Sequence, residues 1–114
     1  MAPKRNPLNL NPLQLKTLTL FQALARLPGH ARPAGEDGAI EISGLPRPHG
    51  DHFHLGEALV MSRDATGLAN PAAWAALERK GLIRAQFPYS AVVTSDGLAY
   101  VTGLEASILH RADH

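Results

Sequence analysis

The chain has 114 residues, 45% of them hydrophobic, with no cysteine and a formal net charge of +1. This size and composition fit one domain with a single modest core, and the lack of cysteine excludes disulfides, thiolate metal ligands and cysteine nucleophiles. The charge is uneven: residues 1–35 carry five basic side chains and no acid, so a bound polyanion would contact the amino-terminal third.

The amino-terminal residues do not have the pattern of a membrane or secretion signal. No segment approaches the roughly 20 apolar residues that span a bilayer. Polar and proline residues interrupt the apolar run that a signal needs, at Asn6, Pro7, Asn9, Asn11 and Pro12. We therefore expect a cytoplasmic protein without membrane contact, with a flexible basic lead at 1–11, one domain at 12–109 and a tail at 110–114.

The first predicted helix begins at Asn11 and Pro12, which suit an N-cap and the first helical position. Apolar and threonine positions then recur every three or four residues, at Leu13, Thr17, Leu20, Phe21, Leu24 and Leu27. Leu15 and Leu18 lie outside this stripe. The helix is therefore either covered on a second side or packed against another chain.

The middle of the chain contains a short predicted strand and a less distinct run. Residues 39–43 alternate in the manner of a strand. For residues 56–66 we predict a helix, because one helical face would hold Leu55, Ala58, Leu59, Ser62 and Ala65. Phe53, Leu55 and residues 59–61 also suit a strand, and periodicity alone does not separate the two structures in so short a run.

The clearest predicted helix runs from Asn70 to Gly81. Asn70 is a good N-cap, Pro71 suits the first helical position, and Gly81 can end the helix in a left-handed conformation. A step of about 100° per residue divides this helix into two faces. The inner face holds Ala73, Trp74 and Leu77, and the outer face holds Ala72, Ala75 and Arg79. Trp74 is therefore predicted to anchor the core.

Two β-type runs follow, at 89–94 and 98–102, separated by Ser95-Asp96-Gly97. Asp-Gly supplies the positive φ angles of a type I′ turn, so these runs predict a β-hairpin. Thr102 and Glu105 have the spacing of a capping box, which predicts a short helix through Leu109.

The order helix, strand, helix, turn, helix, hairpin, helix resembles the winged-helix domain of many bacterial transcription regulators. Residues 64–68 look like the tight turn, residues 77–83 (Leu-Glu-Arg-Lys-Gly-Leu-Ile) closely resemble the signature that ends the third helix, and residues 96–97 and 101–105 look like the wing tip and its exit. The resemblance covers residues 12–109. It implies an α+β fold with a three-helix core, a short strand, a C-terminal β-hairpin and a short C-terminal helix.

The same resemblance makes duplex DNA the first candidate partner, with the helix at 70–81 in the major groove and the hairpin as a wing on the DNA backbone. The basic side chains that would contact phosphates are Lys4, Arg5, Lys16, Arg63, Arg79, Lys80 and Arg84. The outer face of the helix is mostly alanine, which offers a base only a methyl contact. We therefore expect a regulatory role with modest sequence specificity.

The alternative is a protein-interaction or dimerisation module that does not bind DNA. Ala72 and Ala75 have small side chains that let another backbone approach closely, and Leu15 and Leu18 could extend the contact. The expected partner is then another protein or a second copy of this chain.

One histidine cluster has spacing that resembles a metal site, with His49, Asp51, His52 and His54. On an extended segment His52 and His54 point the same way and could share Zn²⁺ or Ni²⁺ with Asp51. A loop cluster without cysteine or an orienting partner is more commonly a polar loop, so we assign no metal and no cofactor.

The sequence also lacks the common enzymatic signatures. It contains no Gly-x-Gly-x-x-Gly, no Gly-x-x-x-x-Gly-Lys-Ser/Thr and no Gly-x-Ser-x-Gly. No spacing forces an acid, a base and a nucleophile together. We therefore predict no enzymatic activity.

Overall fold

The computed structural model of the chain describes residues 6–35, 37–46 and 50–111. The α-helices in these residues are α1 (Pro12–Leu24), α2 (Pro71–Arg79), α3 (Ser95–Ala99) and α4 (Glu105–Ile108). The strands are β1 (Ala31–Pro33), β2 (Ile40–Ser43), β3 (His52–Leu55), β4 (Ala58–Met61), β5 (Ile83–Gln86), β6 (Ser90–Val93) and β7 (His110–Arg111). Two 3₁₀ turns, Ser62–Asp64 and Thr66–Ala69, connect β4 to α2.

The strands form two antiparallel sheets, which makes the fold α+β as predicted. One sheet has the order β1-β2-β6-β5 and the other the order β3-β4-β7. The predicted three-helix core with one short strand is not supported, since the described residues contain seven strands and the expected second helix is absent from them. None of the helices in the described ranges has the length and apolar character needed to cross a bilayer.

Helix α1 lies in the centre of the core. Its first turn is closed by a reciprocal pair of hydrogen bonds: the Asn11 side chain accepts from the Gln14 backbone N–H at 2.8 Å and the Gln14 side chain accepts from the Asn11 N–H at 3.0 Å. Every residue from 17 to 24 is buried. Of the two predicted alternatives, the helix is therefore covered on a second side within the chain.

The predicted helix at 56–66 is wrong, and the strand alternative is right. Residues 52–61 form the β3–β4 hairpin, in which His52 pairs with Met61 and Leu55 with Ala58. Burial alternates along β3, with Phe53 and Leu55 inside and the two histidines outside, which is the period of a strand. Gly56, at a φ of +60°, makes the tight turn that a helix could not contain.

Helix α2 confirms the strongest sequence prediction. The Asn70 side chain accepts from the backbone N–H of Ala72 and of Ala73. At the other end Gly81 has a φ of +76°, its N–H donates to Glu78 and the Leu82 N–H donates to Leu77, so the helix ends in a Schellman motif.

The hairpin lies earlier in the chain than predicted. Strands β5 and β6 pair through Ile83 with Val93 and Gln86 with Ser90, and their turn is residues 87–89. The predicted turn at 95–97 belongs instead to α3, whose N-cap Thr94 accepts from the Gly97 N–H at 3.0 Å. A Cβ at Gly97 would overlap with the Leu82 carbonyl. This glycine therefore permits close packing and does not provide a positive φ.

The predicted capping box at Thr102 and Glu105 is also wrong. Helix α4 begins at Glu105 after Leu104, which makes no side-chain cap. The Thr102 side chain is buried, and its hydroxyl oxygen lies 2.7 Å from that of Thr19 on α1. Burial against α1 therefore determines the position of Thr102.

Residues 6–10 of the predicted flexible lead are hydrogen-bonded to the rest of the domain. The Tyr100 hydroxyl donates to the Asn6 side chain at 2.6 Å and accepts from the Leu8 N–H at 3.1 Å. The Lys80 ammonium donates to the Leu8 carbonyl at 2.8 Å. Residues 1–5 of the lead and 112–114 of the tail lie outside the described residues.

Gly67 in the second 3₁₀ turn allows this segment to approach α1 closely. A Cβ there would overlap with the Thr17 hydroxyl, whose position is fixed by a 2.7 Å hydrogen bond to the Leu13 carbonyl. We expect Gly67→Ala to lower the free energy of unfolding by about 1–3 kcal/mol, because α1 or the turn must move. Urea unfolding measures this change. Gly29→Ala is the control, since a Cβ at Gly29 meets nothing within 4 Å, and equal effects of both variants would contradict the close-approach argument.

Candidate functional site

Trp74 on α2 connects four parts of the fold. Its side chain is only 1% exposed, and its indole N–H donates to the Gly67 carbonyl at 3.1 Å. Its ring meets the Phe21 ring of α1 and the Phe87 ring of the β5–β6 turn, each edge-on with centroids 5.0 Å apart. Edge-to-face pairs of this kind are favourable beyond the area they bury. The predicted core-anchor role of Trp74 is confirmed.

The β5–β6 turn carries two aromatic side chains at the surface. Phe87 is 36% exposed even though its ring contacts Trp74, and Tyr89 is 77% exposed. The turn is closed by the Tyr89 N–H donating to the Gln86 carbonyl at 2.8 Å, and the Ser90 hydroxyl donates to the Gln86 side chain at 3.0 Å. These bonds hold the two exposed rings on an ordered turn.

An open pocket of about 550 Å³ lies between this turn and the 3₁₀ segment. We call it the aromatic-walled pocket, and its lining residues are Leu45, Pro46, Ser62, Ala65, Thr66, Leu68, Ala69, Phe87, Pro88 and Tyr89. No carboxylate, imidazole, amine or guanidinium belongs to this lining as the structure describes it. The volume falls in the range of about 300–1,000 Å³ that is usual for small-ligand pockets.

Ser62 is the unusual member of the lining. Its hydroxyl oxygen is buried, and among the described residues it has no hydrogen-bond partner. Buried hydroxyls are nearly always paired, since an unpaired one loses its bonds to water without replacement. The pocket therefore combines apolar walls with one unsatisfied polar group.

The pocket is not evident from the amino-acid sequence. The predicted elements place Tyr89 at the start of a strand and Ser62 in a helix, so neither residue is expected beside a cavity. Phe87-Pro88-Tyr89 between two strands was the available signal, because aromatic residues and proline in a turn bring large apolar groups to the surface. Residues 45–46 also belong to the lining, and only the tertiary structure brings them together with the turn.

The basic residues predicted to contact phosphates have several different surroundings. Lys16 pairs with Asp64 at 2.9 Å, and Lys80 donates to the Leu8 carbonyl. Arg63, Arg79 and Arg84 are exposed. Lys4 and Arg5 lie outside the described residues.

The four residues predicted for protein contact are similarly divided. Leu18 is fully buried inside the chain and Leu15 is half-buried against the core. Ala72 is exposed and Ala75 half-buried. Of these four residues, therefore, Ala72 and Ala75 on the outer side of α2 are the ones that contribute a solvent-facing surface.

The histidine cluster lies partly within the described residues. His52 and His54 are exposed on β3 with ring centroids 6.1 Å apart, and Asp51 is hydrogen-bonded to the His52 ring at 3.0 Å. His49 lies outside the described residues. Across the described ranges no group of three potential ligands is positioned to hold a metal ion.

Comparisons of the chain with protein-family models, curated proteins and solved structures gave no significant match.

The Asp51–His52 contact predicts a measurable titration. The hydrogen bond from His52 lowers the pKa of the Asp51 carboxyl below its ordinary value of 3.8. We expect His52→Ala to raise this pKa back toward 3.8, as observed by a ¹³C NMR titration of the carboxyl carbon. Because the folded-state pKa is lowered, any stabilisation is present above the ordinary value and is lost as pH falls through the lowered one. His30→Ala, far along the chain, should leave the Asp51 pKa unchanged.

Proposed function

We propose that this protein is a small binding module that recognises an apolar group in the aromatic-walled pocket. The observation that carries the proposal is the pocket itself: about 550 Å³, open to solvent, and walled by the partly exposed Phe87-Pro88-Tyr89 turn. Pockets with mostly apolar walls and few polar groups are the usual form of ligand sites.

Exposure of the wall residues supports a binding role. Large exposed hydrophobic side chains in the described ranges are Leu8, Phe87, Tyr89 and Val101, and two of these four are on the same turn at the pocket. Apolar surface grouped in this way is unfavourable in water and is relieved when a ligand covers it. Phe87 is also held against Trp74, so the wall is largely formed before a ligand binds.

The chemistry of the lining supports recognition without catalysis. In the part of the lining that the structure describes, the polar side chains are the hydroxyls of Ser62, Thr66 and Tyr89. Among the same described residues, none of the three has a neighbouring base that would activate it as a nucleophile. We therefore assign binding and not turnover to this site.

Toluene is a suitable first probe for the apolar part of the pocket. In ¹H–¹⁵N NMR titrations we expect it to shift amides of the lining segments at 45–46, 62–69 and 87–89. Tyr89→Ala should weaken toluene binding by about threefold to tenfold, the effect of one favourable aromatic pair. Because Tyr89 is so exposed, this variant should retain the melting temperature of the wild type.

Val101→Ala is the matched control, since Val101 is also 77% exposed and does not line the pocket. It should leave toluene affinity unchanged. Toluene-induced shifts spread evenly over the surface, or none at all, would overturn the proposed function.

Nucleic-acid binding is the second candidate function. It would go with a winged-helix-related arrangement within the α+β fold. It is favoured by the succession of α1, β2, α2 and the β5–β6 hairpin, in which β6 lies between β2 and β5. In this interpretation residues 87–89 are the wing tip, in place of residues 95–97. Arg79 ends α2, Arg84 lies on β5, the strand that leads into the candidate wing, and both residues are exposed.

Salt-dependent binding to duplex DNA tests this second candidate. A plot of the logarithm of the DNA association constant against the logarithm of the salt concentration has a negative slope. In an Arg63→Ala, Arg79→Ala double variant we expect this slope to become less steep by about 0.9 for each phosphate contact removed. Arg32→Ala is the control, because Arg32 is already ion-paired with Glu41 on the neighbouring strand. Absence of duplex binding at low salt would exclude the candidate.

The protein-interaction alternative stays a prediction. The exposed outer side of α2 at Ala72 supports it, whereas Leu18 lies in the core and does not contribute.

A further inference from the structure

We propose that the aromatic-walled pocket selects an uncharged ring bearing one hydroxyl, a phenol-type group whose hydroxyl pairs with the Ser62 hydroxyl. This inference rests on the proposed binding function and goes beyond it by naming the chemical class of the ligand. It depends on three independent features of the pocket: the unsatisfied hydroxyl, the absence of charge in the described lining, and the flat, rigid wall.

The Ser62 hydroxyl requires a partner that the described residues do not provide. Ser62 follows β4 directly, and its backbone N–H donates to the Asp51 carbonyl at 3.0 Å. The backbone of the residue is therefore fixed while its side chain has no partner in the described structure. A hydroxyl both donates and accepts. The Ser62 oxygen is buried at the edge of the pocket lining, so the proposed contact requires a rotation about χ1 to another staggered rotamer when the ligand binds. A ligand hydroxyl at this point would satisfy it in either direction.

The lining discriminates against charged ligands. Its described side chains include no carboxylate, imidazole, amine or guanidinium that could supply a counter-charge. The nearest acid along the chain, Asp64, is already engaged by Lys16 at 2.9 Å. A charged ligand group placed against this lining would lose part of its hydration without gaining a counter-charge from the described residues.

The wall favours a flat ring. Pro46 and Pro88 contribute rigid, apolar rings to the lining, and Phe87 is held edge-on against Trp74. Aromatic side chains that are fixed in this way bind a further ring by offset or edge-to-face contact at little entropic expense. Leu45 and Leu68 supply the remaining apolar lining.

Three probes of matched size separate these contributions. Toluene, p-cresol and p-toluate share a methylbenzene ring and differ in carrying no polar group, a hydroxyl or a carboxylate. In ¹H–¹⁵N NMR titrations of the whole chain we expect p-cresol to bind about threefold to tenfold more tightly than toluene, the usual effect of one hydrogen bond. We expect p-toluate to bind at least about tenfold more weakly than p-cresol.

Ser62→Ala isolates the hydroxyl contact. In this variant p-cresol affinity should fall to that of toluene, while toluene affinity stays unchanged. The ligand-free variant should melt at the same temperature as the wild type or higher, since the substitution removes an unsatisfied buried hydroxyl. Ser95→Ala is the control, because Ser95 is exposed on α3 and does not line the pocket.

The outcomes distinguish failure of this inference from failure of the proposed function. If toluene and p-cresol bind the pocket equally and Ser62→Ala changes neither, the hydroxyl selection is wrong and the apolar pocket remains a binding site. If none of the probes shifts the lining amides, the hydroxyl selection and the proposed binding function are both wrong. N-acetyl-tyrosinamide separates two sources of the same chemistry: tighter binding than p-cresol identifies a tyrosine side chain of a peptide, and weaker binding identifies a free phenol.

Discussion

The arrangement of this fold depends on the Trp74 indole. Its ring makes edge-to-face contacts with Phe21 on α1 and with Phe87 on the β5–β6 turn, and its N–H donates to the Gly67 carbonyl in the second 3₁₀ turn. One buried side chain therefore relates α1, α2, the 3₁₀ segment and the hairpin turn. A large, rigid ring with a single polar atom suits this role, because its apolar area and its one donor can both be satisfied in only a few orientations.

Two glycines allow the elements around this ring to approach closely. Gly67 lies against Thr17 of α1, and Gly97 lies against the Leu82 carbonyl just before β5. Neither requires a positive φ. These contacts place the second 3₁₀ turn directly against α1 and place α3 directly against the Leu82 carbonyl. The aromatic-walled pocket lies outside this tightly packed region, where the Phe87-Pro88-Tyr89 turn extends beyond Trp74. Its unsatisfied Ser62 hydroxyl and exposed rings are the features that core packing does not explain, which is the physical basis for assigning binding to this site.

Part of the candidate site follows from local sequence and part does not. The inward position of Trp74 followed from its spacing to Leu77 on one helical face. The pocket did not, since its walls come from residues 45–46, 62–69 and 87–89, and their meeting is a long-range event. The same limit applies to the basic residues. Lys16 was predicted to contact a phosphate, but in the structure its ammonium pairs with Asp64, which lies 48 positions away in the chain.

By itself the sequence determined the two principal helices and one strand, because their signals are local. Asn11 and Asn70 cap the two helices, and Gly81 ends the second one. The alternation of residues 39–43 predicts the strand that the structure shows as β2, at Ile40–Ser43. Only the tertiary structure decided whether residues 53–61 form a helix or strands. It also decided whether Asp96-Gly97 forms a hairpin turn or lies in a helix packed against the Leu82 carbonyl. A short apolar run satisfies both periods, and Asp-Gly suits both a type I′ turn and a close contact. Contacts with the rest of the fold select one conformation in each case. Pairing with β7 favours a strand for β4, and the close Leu82 carbonyl requires a glycine at position 97.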